Sequence, residues 1–347
     1  MTREDSIDPT GTGLIDNFGR RAEDLRISLT DKCSLRCTYC MPAEGLDWLP
    51  KAQVLTDDEI VRLATVFLAL GVSSIRLTGG EPLVRAGVVR LVGRLAALEP
   101  RPELSLTTNA LALADRAGAL AEAGLDRVNI SLDTLNRDRF FQLTRRDRLT
   151  DVLSGLTAAS AAGLAPIKVN AVLMRDQNLP EIADLLRWSL ESGYRMRFIE
   201  HMPLDAQHAW TRAGMVTAEE MLGLLQASFD LRPVGHLKHA PAEEFDVLDG
   251  PNRSGWADGP WRVGVIASVT RPFCRECDRL RLTADGQLRT CLFAHTETDL
   301  RAMLRDGASD YDLADTIRGA VAMKAAGHGI SMPGFRQPDR PMSAIGG

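Results

Sequence analysis

The chain of 347 residues lacks several features at once, and each absence excludes a class of protein. There is no excess of positive charge. The formal net charge is −5, so the molecule as a whole does not attract nucleic acid, and any anionic ligand needs a local cluster of Arg and Lys. The amino-terminal stretch Met1 to Asp16 is polar, with Glu4, Asp5, Asp8 and Asp16, and has no apolar h-region, so no signal peptide is expected. No apolar run reaches the length of a membrane span. Low-complexity tracts and heptad arrays are missing too. These readings predict a cytoplasmic protein with neither a membrane nor a nucleic-acid partner. In that compartment cysteines serve more often as metal ligands or catalytic groups than as disulfides. No cysteine is left over: the six fall as 33, 37, 40 and 274, 277, 291. At 45% hydrophobic and 25% charged residues, the composition supports a core of normal size, as one large domain with an appendage or as two domains.

The most informative absence is a fourth cysteine. Cys33-Ser34-Leu35-Arg36-Cys37-Thr38-Tyr39-Cys40 sets three thiols at the spacing C-x3-C-x2-C. Soft thiolates select zinc, copper(I) or iron–sulfur clusters. A cubane cluster usually takes four cysteines, so three leave one iron open to a non-protein ligand. A zinc knuckle is the competing reading, but zinc sites commonly pair two CxxC units and no second unit lies nearby. Cys274, Cys277 and Cys291 form a second triad, C-x2-C-x13-C, which alone resembles three-quarters of a zinc ribbon. Two triads in one chain, both one ligand short, argue for two clusters, each with an open iron.

Alternating helical and strand patterns organise the rest. Leu25-Arg26-Ile27-Ser28-Leu29 reads as a strand leading directly into the first triad. Thr56 and Glu59 form a capping box ahead of the stripe Ile60, Leu63, Phe67 and Leu70. Helical stretches end at Gly71, Gly124, Gly163 and Gly193, and a strand-like segment follows each: Ile75–Thr78, Val128–Asp133, Ile167–Leu173 and Arg195–Glu200. A further strand, Leu104–Thr107, precedes Asn109. This order predicts a parallel sheet with helical cover, and about six units suit a barrel or partial barrel. Each strand carries polar residues two apart: Arg26 and Ser28, Arg76 and Thr78, Ser105 and Thr107, Asn129, Ser131 and Asp133, Lys168 and Asn170, Arg195 and Arg197. Period two sends these to one face and the apolar residues to the other. A barrel interior is normally filled by branched apolar side chains. A polar, cationic lumen predicts instead a cavity for a charged ligand; an antiparallel sheet with one wet face is the plainer alternative. Thr217 and Glu220 open another capped helix, Pro241 to Pro260 reads as loop, Val263 to Val269 as a strand, and helices return from Thr296 to about Ala326.

Thr78-Gly79-Gly80-Glu81-Pro82 follows a strand. Its glycines admit a ligand close to the backbone, and Glu81 is placed to accept from an ammonium group. Arg279 and Arg281 are spaced to face the same way on a strand, and arginine forks match phosphate oxygens. With both triads, these motifs, Leu106-Thr107-Thr108-Asn109, Asn129-Ile130-Ser131-Leu132-Asp133, Arg197-Phe198-Ile199-Glu200-His201-Met202-Pro203 and the terminal Gly346-Gly347, the chain resembles the GTP 3′,8-cyclase family of radical S-adenosylmethionine (SAM) enzymes from about Phe18 onward.

The resemblance implies an α/β fold: an incomplete (βα)6 TIM-type barrel with a C-terminal α+β extension closing the open side. It implies a polar leader over 1–17, the barrel over 18–235 and a C-terminal domain over 236–347. Its cofactors would be two 4Fe-4S clusters and SAM. The first cluster, on Cys33, Cys37 and Cys40, would deliver an electron that breaks SAM. The 5′-deoxyadenosyl radical would take the 3′ hydrogen of GTP, and the sugar radical would attack C8 of guanine. The second cluster, on Cys274, Cys277 and Cys291, would hold GTP by its purine. SAM contacts would fall on Tyr39, Gly80, Ser131 and Met202. GTP contacts would fall on Arg26, Arg76, Thr107, Lys168, Arg197, Arg279 and Arg281. Arg26, Gly346 and Gly347 would join the first triad in catalysis. The family suggests a homodimer, and a product handed to a cyclic pyranopterin monophosphate synthase. Taken without the resemblance, Tyr39 reads equally as a shield for the cluster, Met202 as a core methionine and the glycine tail as frayed. His201 departs from the family's usual Phe or Tyr and receives no role.

Three other readings compete. A radical SAM enzyme acting on a peptide typically carries further auxiliary cysteines. A two-cluster electron carrier needs no cationic lumen. A zinc-stabilised nucleic-acid binder fits poorly with the acidic net charge. The cluster reading predicts that anaerobically purified protein is brown and carries about eight irons. A colourless, zinc-loaded protein of full activity would sink it.

Overall fold

The computed structural model of the chain describes residues 13–237, 240–251 and 260–346. Six parallel strands are hydrogen-bonded in chain order: β1 (Asp24–Ser28), β2 (Ser74–Thr78), β3 (Glu103–Thr108), β4 (Arg127–Ser131), β5 (Lys168–Leu173) and β6 (Arg195–Glu200). Helices α1 (Asp57–Ala69), α2 (Val88–Ala96), α3 (Ala117–Glu122), α4 (Arg137–Thr144), α5 (Leu149–Ala161) and α6 (Ile182–Ser192) connect them. Local chemistry sets their starts. Thr56 accepts from Glu59 N while the Glu59 carboxylate accepts from Thr56 N, and Ile60, Leu63 and Phe67 then bury one face of α1. The apolar faces of the strands are fully buried, as at Leu25 and Ile27, Ile75 and Leu77, Val169 and Phe198. Each such side chain contributes about 1.5–3 kcal/mol, which offsets the cost of desolvating the polar face behind it.

Past β6 the chain forms α7 (Ala218–Gln226), β7 (Leu231–His236), β8 (Glu243–Val247), β9 (Arg262–Ile266), β10 (Arg279–Leu282), β11 (Gln287–Arg289) and β12 (Thr298–Asp299). It ends in α8 (Leu300–Arg305), α9 (Asp310–Ala322) and α10 (Met342–Ile345). These strands extend the sheet at both edges. β10 lies parallel to β1 and β9 parallel to β6, with β11 and β12 beyond the one and β8 and β7 beyond the other. The result is a mixed α/β partial barrel whose extension is antiparallel in its outer strands.

Three expectations need correcting. The stretch 241–260 is not all loop, because β8 occupies Glu243–Val247. Phe245 and Val247 enter the core, and the intervening Asp246 is satisfied by Arg232 and Arg262, so a segment that reads as acidic and polar forms a strand. A boundary at 235/236 would cut β7, so the extension of the sheet starts earlier. Part of the expected leader over 1–17 belongs to the fold: Leu14 and Asp16 are buried, and Asp16 pairs with Arg20 at 2.6 Å.

Two devices hold the extension in place. Glu200, at the end of β6, is fully buried and accepts from Ala218 N at 2.8 Å, Val269 N at 2.7 Å and Thr270 N at 2.9 Å. One carboxylate thereby ties the first turn of α7 and the segment after β9 to the barrel. A second apolar cluster of Leu204, Met215, Val269, Phe293 and Ile330 takes in Ile345, so the C-terminal helix is anchored by burial.

Candidate active site

The polar faces of the central strands and β10 surround one cavity of about 330 Å³, which both cysteine triads line. The register places the triads at opposite ends of paired strands. β1 runs into the loop bearing Cys33, Cys37 and Cys40, whereas Cys277 immediately precedes β10, and β11 returns antiparallel to bring Cys291 to the same end.

The first triad sits in a loop clamped by Thr78-Gly79-Gly80-Glu81. Gly80 N donates to Thr30 O at 2.7 Å and Glu81 N to Lys32 O at 2.8 Å. A Cβ on Gly80 would stand 2.4 Å from Asp31 O and 2.5 Å from Lys32 O. The glycines therefore admit the cysteine loop itself, and both also line the cavity. Glu81 is engaged on the same loop. Its buried carboxylate already accepts from Thr108 Oγ1 at 2.7 Å, Asn109 N at 2.7 Å and Leu83 N at 3.0 Å. Asn109 reaches back, donating to Ser34 Oγ at 3.1 Å and Cys33 Sγ at 3.8 Å. Tyr39 donates its hydroxyl to Asp133 Oδ2 at 2.8 Å, which fixes the ring between the two outer cysteines' loop and the end of β4. Burial pushes the Asp133 carboxyl up to about 6, against the bonds from Tyr39 and Val172 N.

Burial, then Glu81, push the Cys33 thiol up to about 11. Burial, then Asp133 and the neighbouring thiols Cys40 and Cys33, push Cys37 far above its ordinary value. Burial and Cys33 push Cys40 up to about 12, with Asp205 adding to them. Three mutually repelling, desolvated sulfurs become thiolates only around a cationic centre. Among the described residues no three His, Cys, Asp or Glu side chains converge on a single ion. In a cluster each cysteine takes its own iron, so this donor set suits a multi-iron centre better than zinc.

Between the triads lie rows of cations in strand register. Arg281, Arg26 and Arg76 stand side by side across β10, β1 and β2. Asn129, Lys168 and Arg195 do so across β4, β5 and β6, with Asn170 and Arg197 the next pair along. Burial first, then Arg76 and Arg281, hold the Arg26 guanidinium well below its usual range. Arg197 and Arg281 are each brought down to about 10, chiefly by burial. Asp24 is the carboxylate inside the first row, 3.9 Å from both Arg26 Nε and Arg76 Nη2. Burial alone would raise its pKa, but Arg76, Arg26, Arg279 and Arg281 together hold it below the ordinary carboxylate value. Such a desolvated assembly of like charges favours any anion that enters.

The second triad packs against the segment after α9. Lys324 donates to Cys277 O and Arg279 O, both at 2.9 Å, and Arg20 donates to Cys274 O at 2.7 Å. Burial raises the Cys274 and Cys291 thiols, whereas at Cys277 the nearby Lys324 and Arg279 outweigh burial and lower it. The tail enters the same chamber. Arg281 Nη1 donates to Gly346 O, and Gly346 has a φ of 91° with Ser28 and Thr78 filling the space a Cβ would need.

All six cysteines, Tyr39, Gly80, Ser131, Met202, Arg26, Arg76, Thr107, Arg197, Arg279 and Arg281 line the one cavity. Lys168 lies off its wall, within the field of Arg197, Arg127, Arg76 and Arg195. Gly346 touches the strands that form the wall, and Gly347 lies outside the described residues. His201 sets its ring edge-on to Tyr39, with centroids 6.1 Å apart. Sequence reasoning gave no role to Asn109, Asp133, Asp24, Arg20 or Lys324. Asn109 and Asp133 sit inside quoted motifs at strand ends, where a signal existed; the other three carry none.

Comparison with known proteins follows the same lines. Residues 27–189 match the model of the radical SAM superfamily, and residues 194–330 that of Molybdenum Cofactor Synthesis C. The chain is 60% identical over 337 residues to a GTP 3′,8-cyclase of Streptomyces coelicolor, covering 96% of each. It is 55% identical over 341 residues to GTP 3′,8-cyclase 2 of Mycobacterium tuberculosis, covering 98% of this chain and 93% of that one. Among solved structures, Streptococcus suis SuiB bound to precursor peptide SuiA superposes with a TM-score of 0.59 at 17% identity, over 87% of this chain and 67% of that one, a likeness of fold alone.

Two outcomes are expected. A Cβ at Gly346 would lie 2.7 Å from Thr78 Oγ1 and 2.9 Å from Ser28 Cβ, so Gly346→Ala must displace the tail. Turnover should fall by about 100-fold with iron content unchanged; wild-type turnover would show that the tail's approach is immaterial. Burial and the surrounding arginines bring Lys168 down to about 6, so at neutral pH it is largely neutral until an anion arrives. Binding of a nucleoside triphosphate should then take up a proton, and affinity should weaken as pH rises from 6.5 to 8.5, to about tenfold at most per proton and pH unit. Calorimetry in buffers of different ionisation enthalpy reads this directly, and Lys168→Met should abolish the uptake.

Proposed function

The chain belongs to the GTP 3′,8-cyclase family of radical SAM enzymes, and from that premise we propose how its residues divide the work. It is a lyase that catalyses the first step of molybdenum cofactor biosynthesis, with GTP as substrate and a 4Fe-4S cluster and SAM as cofactors. We infer that Cys33, Cys37 and Cys40 would hold that cluster, and that Cys274, Cys277 and Cys291 would hold a second one, which would bind GTP through its purine. When bound, the first cluster and SAM supply a 5′-deoxyadenosyl radical for abstraction of the 3′ hydrogen.

The chain's own part is binding, orientation and shielding. Tyr39, fixed by Asp133, Gly80, Ser131 and Met202 flank SAM. Arg26, Arg76, Arg197, Arg279 and Arg281, with Lys168 behind them and Thr107 beside them, neutralise the triphosphate. Arg26, on the strand that leads into the first triad, and Gly346 are assigned to the sugar, and the family likeness adds Gly347 to them. The observation that carries this reading is the shared cavity: two triads at opposite ends of paired strands with in-register cations between them. A peptide substrate or a role as an electron carrier leaves those cations unexplained. We further propose a homodimer that acts in the cytoplasm and passes its product to a cyclic pyranopterin monophosphate synthase. The family likeness supports the dimer and the hand-over. The six free cysteines suit a reducing compartment, and among the described residues no helix is long and apolar enough to cross a membrane.

Incubation with SAM and a strong reductant should release 5′-deoxyadenosine only when GTP is present. Cys291→Ala should retain SAM binding and lose GTP turnover. Equal release with other nucleotides, or unchanged turnover in Cys291→Ala, would refute the assignment of the purine to the second triad.

A further inference from the structure

The two triads face opposite charges. Among charged side chains, the carboxylates of Asp133 and Asp205 act on Cys37 and Cys40, and at Cys33 Glu81 outweighs Arg36. Around the second triad cations prevail: Arg20 at Cys274, Lys324 and Arg279 at Cys277, where they outweigh Asp278, and Arg281 and Lys324 at Cys291. Most of these cations already have an assignment. Arg20 is paired with Asp16, which cancels its charge, and Arg279 and Arg281 belong to the substrate chamber. Lys324 is left over.

Lys324 is only 4% exposed, an unusual place for an ammonium group. The residue follows α9, whose first turn is fixed by the Ser309–Asp312 capping box and whose buried face holds Leu313, Ile317 and Val321 in the core. Its Nζ donates to Cys277 O at 2.9 Å, to Arg279 O at 2.9 Å and to Cys277 Sγ at 3.6 Å. An ammonium has three donors, and these three acceptors use them all. None is a carboxylate, and at the Cys277 sulfur the positive charge of Lys324 outweighs the opposing Asp278.

We propose that Lys324 is a positioning residue for the second cluster: it orients the Cys277 sulfur and, by its fixed charge, keeps that cluster easier to reduce than the first. This rests on the second triad holding a cluster. The physical basis is general. When one electron enters from an external low-potential reductant, negative charge spreads onto the thiolate sulfurs. A hydrogen-bonded cation beside one of them stabilises the reduced form. The carboxylates around the first triad act in the opposite sense, which suits a centre that must give its electron away.

The test compares Lys324→Arg, Lys324→Gln and the wild type by iron and sulfide content and by redox titration of each cluster's spin-resonance signal, with no turnover required. Wild-type protein holding about four irons would refute the second cluster itself and leave nothing for Lys324 to position. Given about eight irons, Lys324→Gln should make the second cluster harder to reduce by about tenfold in the reduced-to-oxidised ratio, ~59 mV for one electron. The first cluster should not move, and Lys324→Arg should restore the wild-type midpoint. Loss of the second cluster in the Gln variant alone also supports the role of the charge. A Gln variant that keeps both clusters at wild-type midpoints would overturn the proposal. So would loss of the second cluster in both variants, which would make Lys324 a tie between backbone carbonyls and no more.

Discussion

The structure depends on a repulsion that it has to contain. Arg281, buried, and Arg26 and Arg76, half-buried, are aligned on three neighbouring strands, with Asp24 their carboxylate neighbour. Removing such groups from water costs several kcal/mol each after relaxation. The opposite faces of the same strands carry that cost, since Leu25, Ile27, Ile75 and Leu77 are wholly buried under the helices. Period two makes this possible: one strand presents an apolar face to the core and a charged face to the chamber. The chamber wall is therefore cationic by construction. Under the proposed function a triphosphate would meet guanidinium groups already held in position, so little reorganisation remains.

The same need explains why the sheet is extended at both edges. A six-stranded partial barrel leaves the polar groups of β1 and β6 without partners at its rims. β10 takes one rim and β9 the other, and each brings chemistry with it. β10 supplies Arg279 and Arg281 and carries the second triad at its start, while Gly264 of β9 lies beside Arg197. Edge satisfaction and site assembly are one event, because the hydrogen-bond register that pairs β10 with β1 is also what sets Arg281 beside Arg26.

The tail follows a similar logic. A chain end with two glycines has little to hold it, yet Gly346 is pressed between β1, β2 and Arg281. Ile345 in the second apolar cluster and Arg340 on Asp285 and Glu297 provide the anchor, and the glycine supplies the close approach. Order here comes from neighbours rather than from the tail's own composition. The same holds for Tyr39, which is held by Asp133 at the end of a strand distant in sequence.

Local physics made much of this legible in the amino-acid order. Thiol spacing, capping boxes at Thr56 and Thr217, helix-ending glycines and two-residue alternation act within a few residues, so the six-strand sheet, its polar face and both triads could be read directly. Strand β8 could not, because Glu243, Glu244 and Asp246 look like loop until Arg232 and Arg262 are seen to neutralise Asp246. Nor could the true partners of Glu81, or the reason for Gly79 and Gly80, since those residues answer to backbone atoms of a neighbouring loop. Lys324 and Arg20 are ordinary basic residues in sequence, and only their burial against the second triad distinguishes them. The sequence determined which groups are present and which way each strand faces. Tertiary structure alone decided which of them meet, because contacts between residues two or three hundred positions apart are set by sheet register and edge pairing, and no local pattern encodes either.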